Sequence, residues 1–352
     1  MHTLSHQSGQ RRFFTFIFAM FAASASFIAC AATPDDKLQS YRIDPEQVSV
    51  SGISSGAAMA TQLHVAYSSL FKRGIGIIAG PAYYCGEGNV ITALSNCVQP
   101  ADGVPFRTEF AVETAQAWSG KSIDDVSNLA NTKVYIFNGL KDTTIKPTVV
   151  AENRVFYSKF TAEKNIIYKN DLPAGHAMIV DTGKTACDAA EEPYINNCNF
   201  DLPGAMLNWI HGALKPRVAA VPANLMQFNQ DEFRGATRDS DAFDASALVY
   251  VPNACQRGET CKLHVALHGC QQGQAYVGDR YARNAGYNEW AEANNIIVLY
   301  PQISSSGKLG TPTQNPLGCW DWWGYSSTDY AVRDGVQIAT IKRMMDRLMG
   351  VK

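Results

Sequence analysis

Short apolar runs alternate with longer helix-compatible segments along most of the chain. The runs are rich in β-branched residues, which is typical of strands buried on both faces of a sheet. Strands that alternate with helices predict an α/β fold, with a mostly parallel sheet and helices on both faces. The predicted strands are residues 48–53, 74–80, 132–139, 165–168, 247–251, 263–267 and 296–301, and the predicted helices are 57–70, 108–130 in pieces, 148–160, 205–214, 282–293 and 330–349.

A polar and irregular stretch over residues 215–245 divides this pattern into two halves. It is either a linker between two domains or a segment that joins two halves of one domain. The chain has 352 residues, of which 46 % are hydrophobic and 18 % charged, and one α/β domain of this size is ordinary. We expect residues 33–352 to form a single domain, with 215–245 inside it.

The first 32 residues differ in composition from the rest. An arginine pair at 11–12 precedes an apolar stretch over 13–28, and small residues follow, which predicts a signal peptide cleaved near residue 32. A membrane anchor is one alternative, but the stretch is short and diluted by alanine and serine. Lipid attachment at Cys30 and a twin-arginine signal are two further variants. We expect the mature protein to be exported, to the periplasm or outside the cell.

Charge does not indicate a nucleic-acid partner. The formal net charge is −2, and no run of lysine and arginine forms a basic patch. We therefore expect no nucleic-acid binding.

Cysteine usage supports export. Eight cysteines follow the predicted signal peptide, and an even set in an exported chain predicts disulfides. A zinc site is the alternative, but the chain has no Cys-x-x-Cys motif and no Cys/His cluster, so we expect no metal. Sequence spacing favours three local pairs and leaves one long-range pair: Cys85–Cys97, Cys187–Cys198, Cys255–Cys261 and Cys270–Cys319.

The first predicted strand ends in Gly52-Ile53-Ser54-Ser55-Gly56, and a predicted helix follows directly. Gly-x-Ser-x-Gly between a strand and a helix is the signature of a nucleophile elbow, in which glycines let the chain bend tightly around an exposed serine. An ordinary turn is the alternative for the motif alone. The flanking strand and helix favour Ser54 as a catalytic nucleophile.

A serine nucleophile needs a base, and the base needs an orienting carboxylate. In α/β-hydrolases the chain order is Ser, then Asp or Glu, then His, each in a loop after a strand. Asp142 and His176 both follow predicted strands in that order. Asp142 as a helix N-cap is one alternative, and His268 is a rival for the base. The prediction is a triad of Ser54, Asp142 and His176.

The oxyanion hole needs two backbone N–H donors, one of which is the residue after the nucleophile, Ser55. The second donor comes from a His-Gly turn that follows a strand and normally precedes the nucleophile. The only His-Gly turn after a predicted strand, at 267–270, lies far after Ser54. Either the turn is unrelated or the chain is circularly permuted. Joining residue 349 to residue 47 restores the usual order of strands and helices, so we favour a circularly permuted α/β-hydrolase. On that view 215–245 joins the former termini.

Three segments carry a specific resemblance. Leu-His-Val-Ala-Leu-His-Gly-Cys-Gln-Gln-Gly at 263–273, Ile-Ile-Val-Leu-Tyr-Pro-Gln at 296–302 and Asn-Pro-Leu-Gly-Cys-Trp-Asp-Trp at 315–322 resemble the extracellular poly(3-hydroxybutyrate) depolymerases. They also resemble the wider esterase family, which includes feruloyl and acetylxylan esterases. The Gly-x-Ser-x-Gly motif precedes the His-Gly turn in the chain. This order resembles that of the permuted, single-domain depolymerases.

The resemblance implies roles for particular residues. The family's triad falls on Ser54, Asp142 and His176, and its oxyanion donors fall on the backbone N–H groups of Ser55 and Cys270. Substrate contact falls on the tryptophans near 320, with Trp322 first and Trp320 second; core packing is the alternative for at least one of the three at 320–323. Unlike many bacterial members, the chain ends without a separate polymer-binding module. Adsorption would then depend on apolar residues at the mouth of the site.

The expected function is therefore a secreted serine esterase that hydrolyses poly(3-hydroxybutyrate) or its oligomers through an acyl-enzyme on Ser54. We expect a monomer with no cofactor and no stable membrane insertion. A feruloyl or acetylxylan esterase of the same fold would share these residues, and the sequence separates the two poorly. A non-catalytic polymer-binding protein is a further alternative, against which the intact set of three residues argues. Nothing in the sequence indicates the peptide recognition that a serine peptidase needs.

Overall fold

The computed structural model describes residues 36–235, 241–307, 311 and 314–351. The predicted signal peptide, including Cys30, lies outside the described residues. The strands are β1 (Ile43–Ile53), β2 (Gly74–Ile78), β3 (Lys133–Phe137), β4 (Ile166–Lys169), β5 (Met178–Val180), β6 (Ile195–Asn197), β7 (Leu225–Asn229), β8 (Ser246–Tyr250), β9 (Cys261–Leu267) and β10 (Ile296–Tyr300). The helices are α1 (Ser55–Ala66), α2 (Val90–Cys97), α3 (Thr108–Trp118), α4 (Pro147–Ser158), α5 (Leu202–His211), α6 (Asn253–Gln256), α7 (Gln274–Val277), α8 (Arg280–Asn284), α9 (Tyr287–Asn294) and α10 (Val336–Met349).

The central sheet has eight strands in the order β4-β3-β2-β1-β9-β10-β8-β7. The six strands from β4 to β10 in that order are parallel, and β8 and β7 complete one edge in antiparallel pairing. The prediction of a mostly parallel α/β sheet is confirmed. The carboxyl ends of the parallel strands meet along one edge, where loops can assemble a site.

Helices cover both faces of the sheet. Residues of α1, α4 and α10 pack on one face, and residues of α5, α8 and α9 pack on the other. The alternation in β1 reflects this: Val48 and Val50 point into the first core, whereas Ser49 and Ser51 form buried hydrogen bonds on the opposite side. Burial on both faces explains why the central strands have near-continuous apolar sequences.

The sequence pattern predicts an irregular segment over 215–245, but part of this segment is a regular strand. It contains β7, which pairs antiparallel with β8 at the edge of the sheet. Several residues of β7 are only half-buried. Because an edge strand packs on fewer neighbours, it needs a weaker apolar signal than a central strand.

The sheet order agrees with a circular permutation. β1 lies between β2, from the first half of the chain, and β9, from the second half. The backbone N–H of Tyr41, just before β1, donates to the carbonyl of Leu348, near the end of α10, at 2.8 Å. The two ends of the described chain therefore lie side by side, as the permuted order predicts.

All four predicted disulfides are confirmed. Cys85–Cys97, Cys187–Cys198 and Cys255–Cys261 close short loops, and Cys270–Cys319 spans 49 residues. The last of these ties the loop after β9 to the tryptophan-rich loop before α10. Among the described residues, no helix is both long and apolar enough to cross a membrane.

Candidate active site

Ser54 occupies the sharp turn between β1 and α1. Its φ of 57° and ψ of −123° lie in a region that residues other than glycine rarely adopt, and such strain is typical of functional turns. The turn is held by the Ser54 N–H, which donates to the carbonyl of Ile78 at 2.9 Å. These contacts leave Ser54 partly exposed at the carboxyl edge of the sheet.

The two glycines of the motif are required by close packing. A Cβ atom on Gly52 would lie 2.1 Å from the carbonyl oxygen of Gly56, across the elbow. A Cβ atom on Gly56 would lie 2.4 Å from the carbonyl oxygen of His268. The second contact brings the His-Gly turn against the elbow, so the two segments far apart in sequence are neighbours in the fold.

The loops after β3 and β4 bring Asp142 and His176 together. Oδ2 of Asp142 lies 2.7 Å from Nδ1 of His176, and Oδ1 accepts the backbone N–H groups of Thr144 and Ile145. The carboxylate is buried, and these hydrogen bonds fix its orientation. Because a carboxylate accepts hydrogen bonds, this arrangement places the imidazole proton on Nδ1 and leaves Nε2 free to act as a base. Asp142 caps the turn before α4, but it is not the N-cap of that helix, which is Lys146.

The buried histidines His64 and His264 have structural partners. His64 contacts Tyr157 and Thr132, and His264 contacts two serines of β1. Burial lowers the pKa of His64 and of His264 to about 3. Such histidines stay neutral near pH 7, and their ring nitrogens are already in hydrogen bonds.

His268, the rival for the base, is also buried. Its Nδ1 lies 2.7 Å from the carbonyl oxygen of Gly269, and its Nε2 accepts the backbone N–H of Ile303 at 3.2 Å. Burial lowers the pKa of His268 to about 4. With both ring nitrogens occupied, His268 braces the turn and has no free nitrogen to accept a proton from a serine.

The expected oxyanion donors, Ser55 and Cys270, lie on either side of Ser54. Ser55 is the first residue of α1, whose N-terminal amides carry a partial positive charge. A Cβ atom on Gly269 would lie 3.3 Å from the Cβ of Ser54, which places the turn with Cys270 against the nucleophile. In the described part of the chain, neither amide donates a hydrogen bond to another backbone group.

Trp320 does not lie where the resemblance placed it. The side chain is 0 % exposed, beneath the His-Gly turn, and its Nε1–H donates to the carbonyl of His268 at 3.0 Å. A fully buried indole offers no surface to a substrate. Trp320 instead supports the turn from below, so the prediction of substrate contact is corrected for this residue.

Trp322 and Trp323 line the cavity above Ser54. Asp321 shapes the loop that carries them, because its buried carboxylate accepts the backbone N–H groups of Trp323, Gly324, Tyr325 and Ser326. Burial raises the pKa of Asp321. Sequence reasoning did not single out Asp321; a lone carboxylate followed by aromatic and small residues is the signal that could have indicated it.

Ser54 and His176 line the same cavity, which has a volume of about 670 Å³. Its walls are predominantly apolar, and Tyr194 and Gln272 contribute polar groups that sequence reasoning did not single out. Helix α2, also not predicted, forms part of the wall. Most of the apolar wall consists of Pro81, Val90, Leu94, Val98, Ile145, Leu317, Trp322 and Trp323.

A second cavity of about 630 Å³ lies elsewhere on the molecule and is lined by charged side chains. Arg217 forms ion pairs there with Asp181 and Asp201, at 2.7 and 2.9 Å. This second cavity is lined by none of the predicted catalytic residues. Within the described ranges, no group of histidines, cysteines and carboxylates is arranged to hold a metal ion.

Known proteins resemble the chain over most of its length, although no family model matches it. It is 44 % identical over 316 residues to a poly(3-hydroxybutyrate) depolymerase of Delftia acidovorans, covering 88 % of this chain and 61 % of that protein. It is 36 % identical to a polyhydroxybutyrate depolymerase of Talaromyces funiculosus, covering 91 % and 93 %. The chain thus spans less than two thirds of the Delftia relative.

Solved structures agree with the sequence relatives. A PHB depolymerase in complex with an R3HB trimer superposes with a TM-score of 0.81 at 35 % identity, covering 90 % of this chain and 99 % of that one. The PHB depolymerase of Penicillium funiculosum superposes with a TM-score of 0.80 at 34 % identity and the same coverage. With this identity and coverage, the chain belongs to the polyhydroxybutyrate depolymerase family.

Proposed function

We propose that the protein is a serine esterase that hydrolyses poly(3-hydroxybutyrate) or its oligomers, with Ser54 as nucleophile, His176 as base and Asp142 as its orienting carboxylate. The observation that carries the proposal is one apolar cavity that contains both the strained Ser54 and the imidazole held by Asp142.

The reaction proceeds through an acyl-enzyme. The Oγ of Ser54 attacks the ester carbonyl carbon while Nε2 of His176 takes the hydroxyl proton. The carbonyl oxygen becomes an oxyanion, which the N–H groups of Ser55 and Cys270 stabilise; one such donor contributes about 3 kcal/mol. The C–O bond then breaks and the leaving alkoxide takes the proton from His176. A water molecule, deprotonated by His176, then attacks the acyl carbon. The bond between that carbon and Oγ of Ser54 breaks, the acid leaves, and Oγ takes the proton back from His176.

The cavity walls favour an aliphatic polyester. Poly(3-hydroxybutyrate) presents a methyl branch in each repeat, and the apolar lining can desolvate that branch. Both sequence relatives are named as depolymerases of this polymer, and one structural relative is in complex with an R3HB trimer. The alternative acting on feruloyl or acetyl groups has no separate observation in its favour.

The mouth of the cavity supports action on solid polymer as well as on oligomers. Leu94 and Leu317 line the cavity and are 59 % and 44 % exposed, and neighbouring Ile91 is 74 % exposed. An apolar rim of this kind is unusual for a surface that meets only water. Such a rim would adsorb to an apolar polyester.

We also propose export and a single catalytic domain. The four disulfides are typical of proteins that fold in an oxidising compartment. Cleavage of the predicted signal peptide near residue 32 would release a domain starting at about residue 33, and mass spectrometry of the secreted protein tests that boundary.

Clearing of a turbid poly(3-hydroxybutyrate) granule suspension tests the activity. Wild type should clear it, and Ser54→Ala should lose at least about a thousandfold in rate while keeping its fold. Ser158→Ala, at an exposed serine of α4, is the matched control and should clear like wild type.

Two soluble substrates complete the assay, a short hydroxybutyrate oligomer and a feruloyl ester. Oligomer cleavage without clearing would restrict the function to soluble esters. Turnover of the feruloyl ester alone would replace the proposed substrate with that of a plant-polysaccharide esterase. Full activity in Ser54→Ala would place the nucleophile elsewhere.

A further inference from the structure

The side chain of Gln272 connects two loops of the candidate site. It is 2 % exposed and takes part in three hydrogen bonds. Its Oε1 accepts the backbone N–H of Gly269 at 2.8 Å, and its Nε2 donates to the carbonyls of Pro193 and Tyr194, each at 3.0 Å. Gly269 belongs to the turn that ends in the Cys270 N–H, and Tyr194 lines the cavity beside His176.

The orientation of this amide is determined by its neighbours. A backbone N–H can only donate, so the group facing Gly269 must be the amide oxygen. Two backbone carbonyls can only accept, so the group facing Pro193 and Tyr194 must be the NH₂. An exchange of the two ends would leave three buried backbone groups facing like partners, without a hydrogen bond.

The carbonyl of Tyr194 extends the connection to the base. It also accepts the backbone N–H of Met178 at 2.9 Å, and Met178 lies two residues after His176. Two hydrogen bonds through one carbonyl oxygen therefore join the Gln272 side chain to the loop that carries the imidazole. The same loop is held at Gly175, whose N–H donates to the carbonyl of Cys187 at 2.9 Å.

We propose that Gln272 is a positioning residue that sets the distance between the oxyanion turn and the His176 loop. The inference rests on the proposed function of the site. The two loops come from opposite halves of the chain, and Gln272 and Pro193 are 79 residues apart. Gln272 need not touch the substrate. It holds the Cys270 N–H and the His176 ring at positions from which both can act on the same ester group. Displacement of a catalytic group by about 1 Å can cost about a hundredfold in rate.

Two substitutions distinguish the hydrogen bond of Gln272 to the oxyanion turn from its hydrogen bonds to the 193–194 carbonyls. Gln272→Glu keeps an oxygen for the Gly269 N–H and removes both donors to the 193–194 carbonyls. Gln272→Met removes all three hydrogen bonds without adding a charge. Both keep roughly the length of the side chain.

Gln230 provides the matched control. It is 0 % exposed, its Nε2 donates to the carbonyls of Asp244 and Gln302, and its Oε1 accepts the Gln302 N–H. Gln230→Glu and Gln230→Met therefore make the same chemical changes in a buried amide of the same hydrogen-bonding pattern, outside the cavity.

The readouts are kcat and KM on a soluble p-nitrophenyl ester, the rate of Ser54 labelling by a phosphonate, and the melting temperature. We expect the Gln272 variants to lose about 30-fold in kcat with KM within about threefold, and to be labelled correspondingly slowly, since phosphonylation uses the same oxyanion donors. The Gln230 variants should lose melting temperature without a comparable loss of kcat.

Three outcomes would overturn the inference: an unchanged kcat in both Gln272 variants, equal losses of kcat at Gln272 and Gln230, or failure of both Gln272 variants to fold while the Gln230 variants fold. The last would assign Gln272 to the fold and not to the site. Failure of the proposed function has a different signature, because Ser54→Ala would then stay active on the same ester.

Discussion

Two cavities formed by the described residues have nearly equal volumes, about 670 and about 630 Å³, and different linings: the first is predominantly apolar, and the second includes several charged side chains. In the charged cavity Arg217 forms ion pairs with Asp181 and Asp201. The apolar cavity is lined by the strained Ser54 and by His176, whose carboxylate partner is buried. Under the proposed function, we expect the chemistry in the apolar cavity and a contribution to local structure from the ion pairs of Arg217.

The largest expected contrast between the cavities comes from matched substitutions of two aspartates. Asp142→Asn should reduce kcat by about 10³- to 10⁴-fold, because an amide in that place favours the wrong histidine tautomer. Asp201→Asn, in the charged cavity, should leave kcat within about twofold, since it changes no group at the reaction centre. Steady-state kinetics on a soluble ester would show the contrast, and a comparable loss in both variants would contradict it.

Acid should affect the buried histidines and the charged cavity in separate pH windows. The pKa values of His64, His264 and His268 are lowered by burial to about 3 or 4, whereas the unfolded chain protonates its histidines near pH 6.5. Below pH 6.5 the unfolded state binds more protons, so each group lowers the free energy of unfolding by up to about 1.4 kcal/mol per pH unit, down to its folded pKa. Urea denaturation at several pH values measures this slope.

The Arg217–Asp181 ion pair in the charged cavity should respond at lower pH. The hydrogen bond from Arg217 lowers the pKa of Asp181, so the stability from that pair is complete above pH about 4 and is lost as the pH falls below it.

His64→Gln removes one buried histidine and should reduce the dependence of the free energy of unfolding on pH between pH 6.5 and 4. An unchanged slope in this variant would show that His64 does not contribute to acid sensitivity.

Trp322→Ala should lower kcat/KM on hydroxybutyrate oligomers by about tenfold, since loss of an aromatic wall removes a few kcal/mol of apolar contact at most. Trp209→Ala, at a half-buried tryptophan of α5 outside the cavity, is the comparison variant. Equal effects of the two substitutions on kcat/KM would remove Trp322 from the binding surface.

The smallest effect is expected at Arg217. Its side chain is about a third exposed, and exposed ion pairs contribute about 1 kcal/mol or less. Arg217→Met should therefore lower the free energy of unfolding slightly and leave granule clearing at the wild-type rate. Loss of clearing with an intact fold would give the charged cavity a functional role and remove the contrast.

The sheet and the loops after its strands were predictable because both follow from burial. Central parallel strands need continuous apolar runs, so β2, β3 and β10 stand out in the sequence. Asp142 lies in the loop after β3, and His176 lies in the loop after the edge strand β4. The edge strand β7, the short pair of β5 and β6, and helix α2 have weaker patterns, because each packs against fewer neighbours.

Side chains that act through distant partners were not predictable from one sequence. Gln272 and Pro193 are 79 residues apart, and no local pattern relates them. The tryptophans at 320–323 differ in burial, which depends on the surrounding fold: Trp320 lies fully inside and Trp322 lines the cavity. The residue type alone does not distinguish which of these nearby tryptophans is buried and which lines the cavity.

Because Tyr41 and Leu348 are neighbours, a tether near either residue would give the immobilised protein the same orientation on a solid support. Both lie at the end of β1 opposite to Ser54, roughly 40 Å away along the strand. A tether attached near either residue would hold the catalytic face toward the solution. Attachment through the rim around Leu94 would instead cover the entrance of the apolar cavity, so the choice of anchor decides whether a molecule in solution can reach that cavity.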